Sequence, residues 1–293
     1  MKTTHLIALI LSFLLIFTAC NGFPSVTETE SETDVPATDS EPVTESETET
    51  ESETESETET ETETETESET ETETEATPKK RVAITFDDGP AFDNDTVQDL
   101  TYKLADEFAK YDGAATFFVV GNRINAKTGA AMQYAHSLGC EYAIHAYTHE
   151  IYFDECSEEA YLNELRMTKE AIQKYIDADV TLLRAPGGYM TKERAILGGY
   201  PIINWSIDSE DWRYKSRATA ATAEANVNAI VENALRGVED GDIILMHEIY
   251  LNTYEATCII LKRLHEMGFE FVTVTELLGA DNLVAGQTYY CAP

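Results

Sequence analysis

Two short polar clusters in the sequence contain side chains that could bind a metal ion and move a proton. The first is the adjacent pair Asp87 and Asp88, and the second is His145 and His149, separated by three residues. Two imidazoles and one carboxylate can supply three ligands to a catalytic metal and leave a fourth position open. Adjacent carboxylates repel each other unless a cation lies between them or their roles differ. We therefore expect one aspartate to ligate a metal and the other to accept a proton.

Each pair taken alone has an ordinary structural interpretation as well. The histidine pair is not the HExxH motif of zinc proteases, because Ala146 occupies the position of the essential glutamate. The segment 87–90 could equally form a turn whose carboxylates cap a helix or accept backbone hydrogen bonds. The presence of both pairs in one chain favours the metal site.

From Lys79 onward, short apolar runs alternate with amphipathic stretches, which predicts strands and helices in turn. Such alternation is typical of a parallel sheet with crossover helices, and about seven units in about 200 residues favour a (β/α) barrel over an open sheet. The predicted strands are 81–86, 115–120, 141–144, 181–183, 202–207, 242–246 and 270–274, and the predicted helices are 96–110, 128–138, 157–176, 221–235 and 253–267.

Five polar clusters follow the predicted strands at their carboxyl ends. In a (β/α) barrel these ends meet at one face of the molecule, where catalytic groups gather. We therefore expect the clusters to converge on a single site. They are 85–90, 145–149, 184–188, 208–212 and 245–247.

The charge of the chain is concentrated in one segment. Of 293 residues, 55 are acidic and 20 are basic, and the formal net charge is −35. Residues 25–78 hold 22 of the acids and no Lys or Arg, whereas residues 79–293 carry a net charge of −14. This balance excludes a basic nucleic-acid-binding surface on the folded part. The Glu/Thr/Ser repeat predicts a disordered linker over 21–78, between a signal peptide at 1–20 and a catalytic domain at 79–293.

The first 20 residues predict export. Lys2 precedes an apolar run at 6–17, which at about 12 residues is shorter than the roughly 20 that span a bilayer. The segment 17–20 resembles a bacterial lipobox, in which Cys20 becomes the lipidated first residue of the mature protein. We therefore expect an extracellular protein that contacts the membrane only through a lipid on Cys20. Cleavage by ordinary signal peptidase, which would give a secreted protein, is the alternative.

Taken in order, the five clusters resemble the motifs of the polysaccharide deacetylases with NodB homology, carbohydrate esterase family 4. The resemblance covers residues 80–280. It implies a distorted (β/α) barrel and a metal-dependent hydrolase that removes acetyl groups from a polysaccharide. The implied metal is zinc, with cobalt or another divalent ion as alternatives.

The resemblance also implies a role for each residue of the metal and base clusters. Asp88, His145 and His149 would bind the metal. Asp87 would be the general base, and Arg184 would pair with it.

By the same resemblance, His247 would be the general acid and Asp211 would orient it. The backbone N–H of Gly187 would stabilise the oxyanion, and Trp212 and Leu245 would line the acetyl pocket. All of these positions match the family motifs in residue type or in backbone function.

The chain departs from the family pattern at three positions. Ala146 replaces the usual Ser or Thr after the first metal histidine, so a hydrogen bond that stabilises the loop is in doubt. Gly187 replaces a common Tyr, and Glu248 replaces the Asp that often follows the acid histidine. None of these changes removes a catalytic atom.

Three functions remain open from the sequence. The first is a deacetylase of peptidoglycan or another N-acetylglucosamine polymer, and the second is an acetylxylan esterase that uses the same side chains. The third is a surface carbohydrate-binding protein without activity, which a missing ligand or acid would favour.

The oligomeric state stays open. Export permits disulfides, and the pairing of the four cysteines also stays open. They are Cys140, Cys156, Cys258 and Cys291.

Overall fold

The computed structural model of the chain describes residues 79–91 and 99–293. The predicted signal peptide, the lipidation site at Cys20 and the acidic linker lie outside the described residues, as does the predicted start of the first helix at residue 96. The domain boundaries therefore stay a prediction. In the part that is described, no helix combines the length and the apolar character needed to cross a bilayer.

Strands and helices alternate along the described chain. The strands are β1 (Lys80–Gly89), β2 (Thr116–Val120), β3 (Glu141–Ala146), β4 (Ile202–Ile203), β5 (Ile207–Asp208), β6 (Ile243–His247), β7 (Phe269–Phe271) and β8 (Thr288–Tyr289). The helices are α1 (Leu100–Ala109), α2 (Ala126–Ser137), α3 (Glu158–Gln173), α4 (Lys192–Gly198), α5 (Ala220–Ala234), α6 (Leu251–Glu266) and α7 (Val274–Leu278).

The strands pair in parallel to form an interrupted barrel. The main sheet has the order β3-β2-β1-β6-β5, and β7 adds to the amino-terminal part of β1. Leu183 bridges β3 to β4, and β4 pairs with β8. The ring of strand pairing is therefore interrupted between β4 and β5, which lie next to each other in the chain. This arrangement confirms the predicted distorted (β/α) barrel.

Three strand predictions were wrong in their extent. The single strand at 202–207 is two short strands, because its backbone changes partners: Asn204 N–H donates to Tyr289 O on β8, whereas Ser206 N–H donates to Ile243 O on β6. The strand at 181–183 is reduced to bridges at Leu183. The strand at 270–274 ends at Phe271, because Thr273 and the N3 glutamate form a capping box that starts α7.

Helices α4 and α7 and strand β8 were not predicted from the sequence. The four cysteines of the described chain, Cys140, Cys156, Cys258 and Cys291, are free thiols. None of the pairings left open by the sequence is therefore formed among the described residues.

Side chains of successive strand residues enter two different apolar layers. On β1, Val82, Ile84 and Phe86 pack in the layer between the sheet and the helices, whereas Ala83 packs in the barrel interior. This alternation follows from the two-residue period of a strand. Three residues of α7 pack in the interior layer as well. The layer consists of Ala83, Phe118, Ala143, Leu182, Ile203, Ile243, Val274, Leu277 and Leu278.

The interior layer generates a stability prediction at Phe118, which is fully buried. Phe118→Ala should lower the free energy of unfolding by about 3–5 kcal/mol, since it removes a large ring from a packed interior. Chemical denaturation of the full chain measures this change. Tyr152, which is 64% exposed, is the matched control, and Tyr152→Ala should change the free energy by less than about 0.5 kcal/mol. Similar small losses in both variants would contradict the interior assignment of Phe118.

Candidate active site

The polar residues at the strand ends continue the interior columns of apolar residues. Because side chains alternate along a strand, a residue two or four positions after an interior residue faces the interior as well. These residues are Thr85 and Asp87 after Ala83, His145 after Ala143, Arg184 after Leu182, and Leu245 and His247 after Ile243. The sequence clusters therefore converge at the carboxyl ends of the strands, above the apolar interior.

Two irregularities in strand register change the direction of metal-site residues. The pairing of β1 with β2 shifts between Asp87 and Gly89, which leaves Asp88 without a register partner. Asp88 also has a left-handed backbone, with φ of 68°. The pairing of β2 with β3 skips His145 in the same way. Such bulges re-aim side chains next to active sites, and here one allows consecutive aspartates to serve the same site.

Asp88, His145 and His149 offer ligand atoms that lie within 4.8 Å of one another. Nε2 of His145 is 3.5 Å and Nε2 of His149 is 3.2 Å from Oδ1 of Asp88. Nδ1 of His145 lies 2.9 Å from the carbonyl oxygen of Arg184. A carbonyl can only accept, so Nδ1 carries the proton and Nε2 presents its lone pair to the cluster.

The three residues fit a divalent metal ion. Ligand atoms held at about 2.1 Å around a tetrahedral ion are about 3.4 Å apart, close to the spacing found here. Oδ1 of Asp88 is buried and has no hydrogen-bond partner among the described residues. A bound cation would give this oxygen a favourable contact. Burial lowers the pKa of His145 although Asp87 and Asp88 oppose this effect. The imidazole is therefore neutral, which is the form that binds metal.

Asp87 forms a buried ion pair with Arg184 beside the metal cluster. Nη1 of Arg184 donates to Oδ1 of Asp87 at 2.7 Å and to Oγ1 of Thr85 at 2.8 Å. Its other nitrogens donate to the carbonyl oxygens of Ile203 and Asn204. The guanidinium carbon also lies 4.1 Å from the ring centroid of Phe118. Every side of the guanidinium is engaged, so the Asp87 carboxylate has a fixed orientation.

His247 and Asp211 form a second polar pair, one strand away from Asp87. Asp87 and His247 are register partners on β1 and β6. Nδ1 of His247 lies 2.8 Å from Oδ1 of Asp211, whose Oδ2 accepts from His247 N–H and from the Thr253 hydroxyl. Burial lowers the pKa of His247, but the charge and hydrogen bond of Asp211, with Asp87 and Asp88, outweigh burial and raise it to about 9. His247 is therefore an imidazolium at neutral pH.

The residues predicted to contact substrate lie within three positions of Arg184, Asp211 or His247 in the chain. Leu245 is buried on β6, two residues before His247 in the same interior column. Gly187 is exposed and left-handed, with φ of 71°, and the space that a Cβ would enter there is open. Trp212 is half-exposed directly after Asp211, and the guanidinium of Arg213 lies 4.7 Å from its ring centroid. The roles of these three residues remain predictions.

Three supporting residues were missed in the sequence. Thr85 shares Nη1 of Arg184 with Asp87, and its position in the β1 column was the available signal. Thr253 on α6 holds Asp211, and Arg123 donates from Nη1 to the carbonyl oxygen of Asp88. Both lie outside the motifs, and only the fold brings them to the site.

Glu248, one of the departures from the family pattern, is a fully buried residue whose carboxyl lies against Gly89 at the end of β1. The Thr101 hydroxyl donates to Oε2 of Glu248 at 2.6 Å. A Cβ on Gly89 would lie 1.4 Å from Oε1 of Glu248, so this glycine makes room for the carboxyl. Burial raises the pKa of Glu248 to about 7, although the hydrogen bonds from Thr101 and Ala91 oppose this effect.

Comparison with known proteins agrees with this architecture. The family model described as "Polysaccharide deacetylase" matches residues 74–197. The peptidoglycan-N-acetylglucosamine deacetylase PgdA of Listeria monocytogenes is 32% identical over 218 residues, which cover 73% of this chain and 42% of that protein. A peptidoglycan-N-acetylglucosamine deacetylase of Bacillus cereus is 32% identical over 210 residues, 68% of this chain and 89% of that protein.

A solved structure supports the same relationship. The family 4 acetyl xylan esterase from Clostridium thermocellum, in complex with a cobalt ion, aligns with a TM-score of 0.61 and 30% identity over 73% of this chain and 100% of that chain. The chain spans about two fifths of the length of the Listeria relative but most of the Bacillus relative. By its sequence, its distorted barrel and the convergence of its five clusters, the chain belongs to the polysaccharide deacetylase family with NodB homology, carbohydrate esterase family 4.

Proposed function

We propose that the protein is a metal-dependent hydrolase that removes N-acetyl groups from an N-acetylglucosamine-containing polysaccharide, such as peptidoglycan or a chitin-like polymer. The observation that carries the proposal is one site with three metal-ligand atoms, a buried carboxylate paired with arginine and an imidazolium paired with aspartate. The similarity to peptidoglycan deacetylases of Listeria and Bacillus supports this substrate class.

Asp88, His145 and His149 would hold the metal, for which we propose zinc, with cobalt or another divalent ion as alternatives. When bound, such an ion polarises a carbonyl oxygen and lowers the pKa of water towards about 7. The Nδ1 contact of His145 with the Arg184 carbonyl keeps its other nitrogen directed at this position. Ligand orientation by such outer contacts is a general feature of metal sites.

Asp87 would act as the general base. Its Oδ1 accepts from Arg184, whereas its Oδ2 lies on the side of His145, 3.9 Å from Nδ1. We propose that this carboxylate takes the proton of water as the water oxygen attacks the acetyl carbonyl carbon. The negative charge that develops on the carbonyl oxygen would be stabilised in part by the Gly187 N–H. Positioned base catalysis of this kind contributes about 10²- to 10⁴-fold in rate.

His247 would act as the general acid. Because Nδ1 of His247 donates to Asp211, Nε2 is the nitrogen left to deliver a proton. As the C–N bond breaks, the sugar nitrogen takes this proton and leaves as an amine, and the acetyl group leaves as acetate. Trp212 and Leu245 would form walls of the acetyl pocket in this proposal.

O-acetyl ester hydrolysis on acetylated xylan is a second candidate. The same base, acid and metal ligands can cleave an ester, and the acetyl xylan esterase of Clostridium thermocellum shares the fold at 30% identity. A non-catalytic carbohydrate-binding role is disfavoured, because a site that had lost catalysis would not need the complete set of ligands, base and acid.

We also propose that the protein is exported and tethered to the outer side of the bacterial membrane by a lipid on Cys20. The short apolar run before Cys20 and the small residues at 18 and 19 support this localisation. The acidic segment at 21–78 would then separate the catalytic domain from the membrane surface. Secretion after ordinary signal cleavage is the alternative.

The proposed activity is tested by acetate release from peptidoglycan, chitooligosaccharides and acetylxylan, measured side by side. We expect the N-acetylglucosamine polymers to be the better substrates, chelation to abolish release and added zinc or cobalt to restore it. His149→Ala should lose both bound metal and activity, because it removes a ligand. Asp87→Asn should lose activity at unchanged metal content, because it removes only the base.

Metal content of each purified variant is the control for this comparison. Loss of metal in both variants would mean that the roles of the two aspartates are assigned wrongly. Acetate release from acetylxylan alone would replace the deacetylase proposal with the esterase. Activity on none of the three polymers by a metal-loaded protein would contradict both.

The pH dependence of amide cleavage should follow the charge of His247. A general acid must start protonated, and Asp211 holds the pKa of His247 above its usual value, so kcat/KM should fall on the alkaline side as pH rises through that pKa. Asp211→Asn removes the carboxylate charge that raises this pKa, so the alkaline fall should move to lower pH. His247→Ala should slow N-acetylglucosamine oligomers by about 10²-fold or more.

An activated aryl acetate is the matched control substrate. Its phenolate leaving group needs little protonation, so His247→Ala should slow it far less than the amide. Equal losses on both substrates at unchanged metal content would show that His247 is not the leaving-group acid.

Cys20→Ala tests the proposed tether. Stable anchoring takes more than one acyl chain, and a lipidated amino-terminal cysteine would carry these chains. We expect the variant to move from the membrane fraction to the medium, as measured by immunoblot of fractionated cells. Ser25→Ala, a change outside the lipobox-like segment, serves as the control. Unchanged membrane association of Cys20→Ala would remove the lipid anchor from the proposal.

A further inference from the structure

Glu164 on α3 binds the loop that joins the two histidines of the metal cluster. Its carboxylate is buried, with 8% of the residue exposed. Oε2 accepts from the backbone N–H of Tyr147 at 2.6 Å and from that of Thr148 at 2.9 Å, and Oε1 accepts from the Thr148 hydroxyl at 3.0 Å. One carboxylate therefore engages three donors of a loop that begins and ends at His145 and His149.

This loop needs an external anchor because of its shape. Strand β3 ends at Ala146, and three residues later the chain must direct a second imidazole back to Oδ1 of Asp88. His149 adopts a left-handed backbone, with φ of 62°, which is costly for a residue with a side chain. Ala146 carries no hydroxyl and its methyl group packs in the layer under the helices. The loop therefore lacks a polar side chain of its own at that position.

The loop and helix α3 make further close contacts with the end of β2. The Tyr147 carbonyl accepts from Asn122 N–H at 2.9 Å, so the loop is held from the β2 side as well. A Cβ on Gly121 would lie 2.9 Å from the Thr168 Cα, which shows how closely α3 approaches the end of β2. Hydrogen bonds from backbone N–H groups to a carboxylate are charge-assisted and stronger than neutral ones.

We propose that Glu164 is a positioning residue of the metal site, which sets the His145–His149 loop in the conformation that binds the ion. The inference rests on the proposed metal site at Asp88, His145 and His149. Glu164 acts through the backbone of Tyr147 and Thr148 and touches no metal-ligand atom in the contacts described above. Loss of a group that hydrogen-bonds a metal ligand typically weakens metal binding about 10- to 100-fold, and we expect an effect on this scale from loss of the loop anchor.

Metal affinity of the full chain, measured by competition with a chelating dye for zinc and for cobalt, tests the inference. Glu164→Ala should weaken binding by about 10- to 100-fold and alter the visible absorption spectrum of the cobalt-loaded protein. Glu164→Asp keeps the charge but shortens the reach by one methylene, so it should weaken binding as well. Glu164→Gln should recover most of the affinity, because its amide can accept from the backbone and donate to the Thr148 hydroxyl.

Glu170→Ala is the matched control on the same helix. The Glu170 side chain is 57% exposed and pairs with Arg166 one helical turn away, so its loss should leave metal affinity unchanged. If Glu164→Ala does not fold, as judged by circular dichroism, the comparison of Glu164→Asp with Glu164→Gln decides the question. Wild-type affinity and cobalt spectrum in Glu164→Asp, or in a folded Glu164→Ala, would overturn the inference even if the melting temperature fell.

The wild-type measurement separates this inference from the proposed function. A wild-type chain that binds neither zinc nor cobalt would contradict the proposed metal site itself. A wild-type chain that binds metal, with Glu164 variants that bind it equally well, would contradict only the positioning role.

Discussion

The buried ion pair between Arg184 and Asp87 is the interaction on which the rest of the site depends. A guanidinium with no exposed surface is tolerated only when its charge is paired and its donors are satisfied. Here its acceptors come from β1, β4 and the residue after β4, and the ring of Phe118 on β2 covers one face. The pair therefore joins the central strand to the interrupted side of the barrel. Breaking a buried pair of this kind typically costs about 3–5 kcal/mol.

The same low-dielectric setting produces two opposite electrostatic environments on adjacent strands. On β1, a carboxylate is paired with a permanent cation and is available as a proton acceptor. On β6, an imidazole is paired with the buried carboxylate of Asp211 and is held as a proton donor, with a pKa of about 9. Of the proposed metal ligands, Asp88 and His145 lie at the bulged ends of β1 and β3, and His149 follows in the loop after β3. Hydrolysis of an amide requires a proton acceptor and a proton donor that are separate groups placed around the same reacting carbonyl.

Two of the three positions at which this chain departs from the family pattern, Ala146 and Glu248, lie next to buried hydrogen bonds behind the site. Ala146 supplies no hydroxyl to the histidine loop, and the Glu164 carboxylate accepts from the loop backbone at Tyr147 and Thr148. Glu248 is longer than the usual aspartate, and its carboxyl extends over Gly89 to the Thr101 hydroxyl on α1. In both cases the change lies one contact away from the residues proposed to react. This is where substitution can occur while the arrangement of reacting groups is retained.

Local pattern was sufficient to predict the barrel class, most helices and the convergence of the five clusters, because strand period and strand-end position are properties of consecutive residues. The column Ala83, Thr85 and Asp87 is readable in the sequence for that reason. The bulge at Asp88, the division of 202–207 between β8 and β6, and the contact of Glu164 with the histidine loop were decided by the tertiary structure. Each depends on which distant strand or helix offers a hydrogen-bond partner, and that choice is made only when the chain packs.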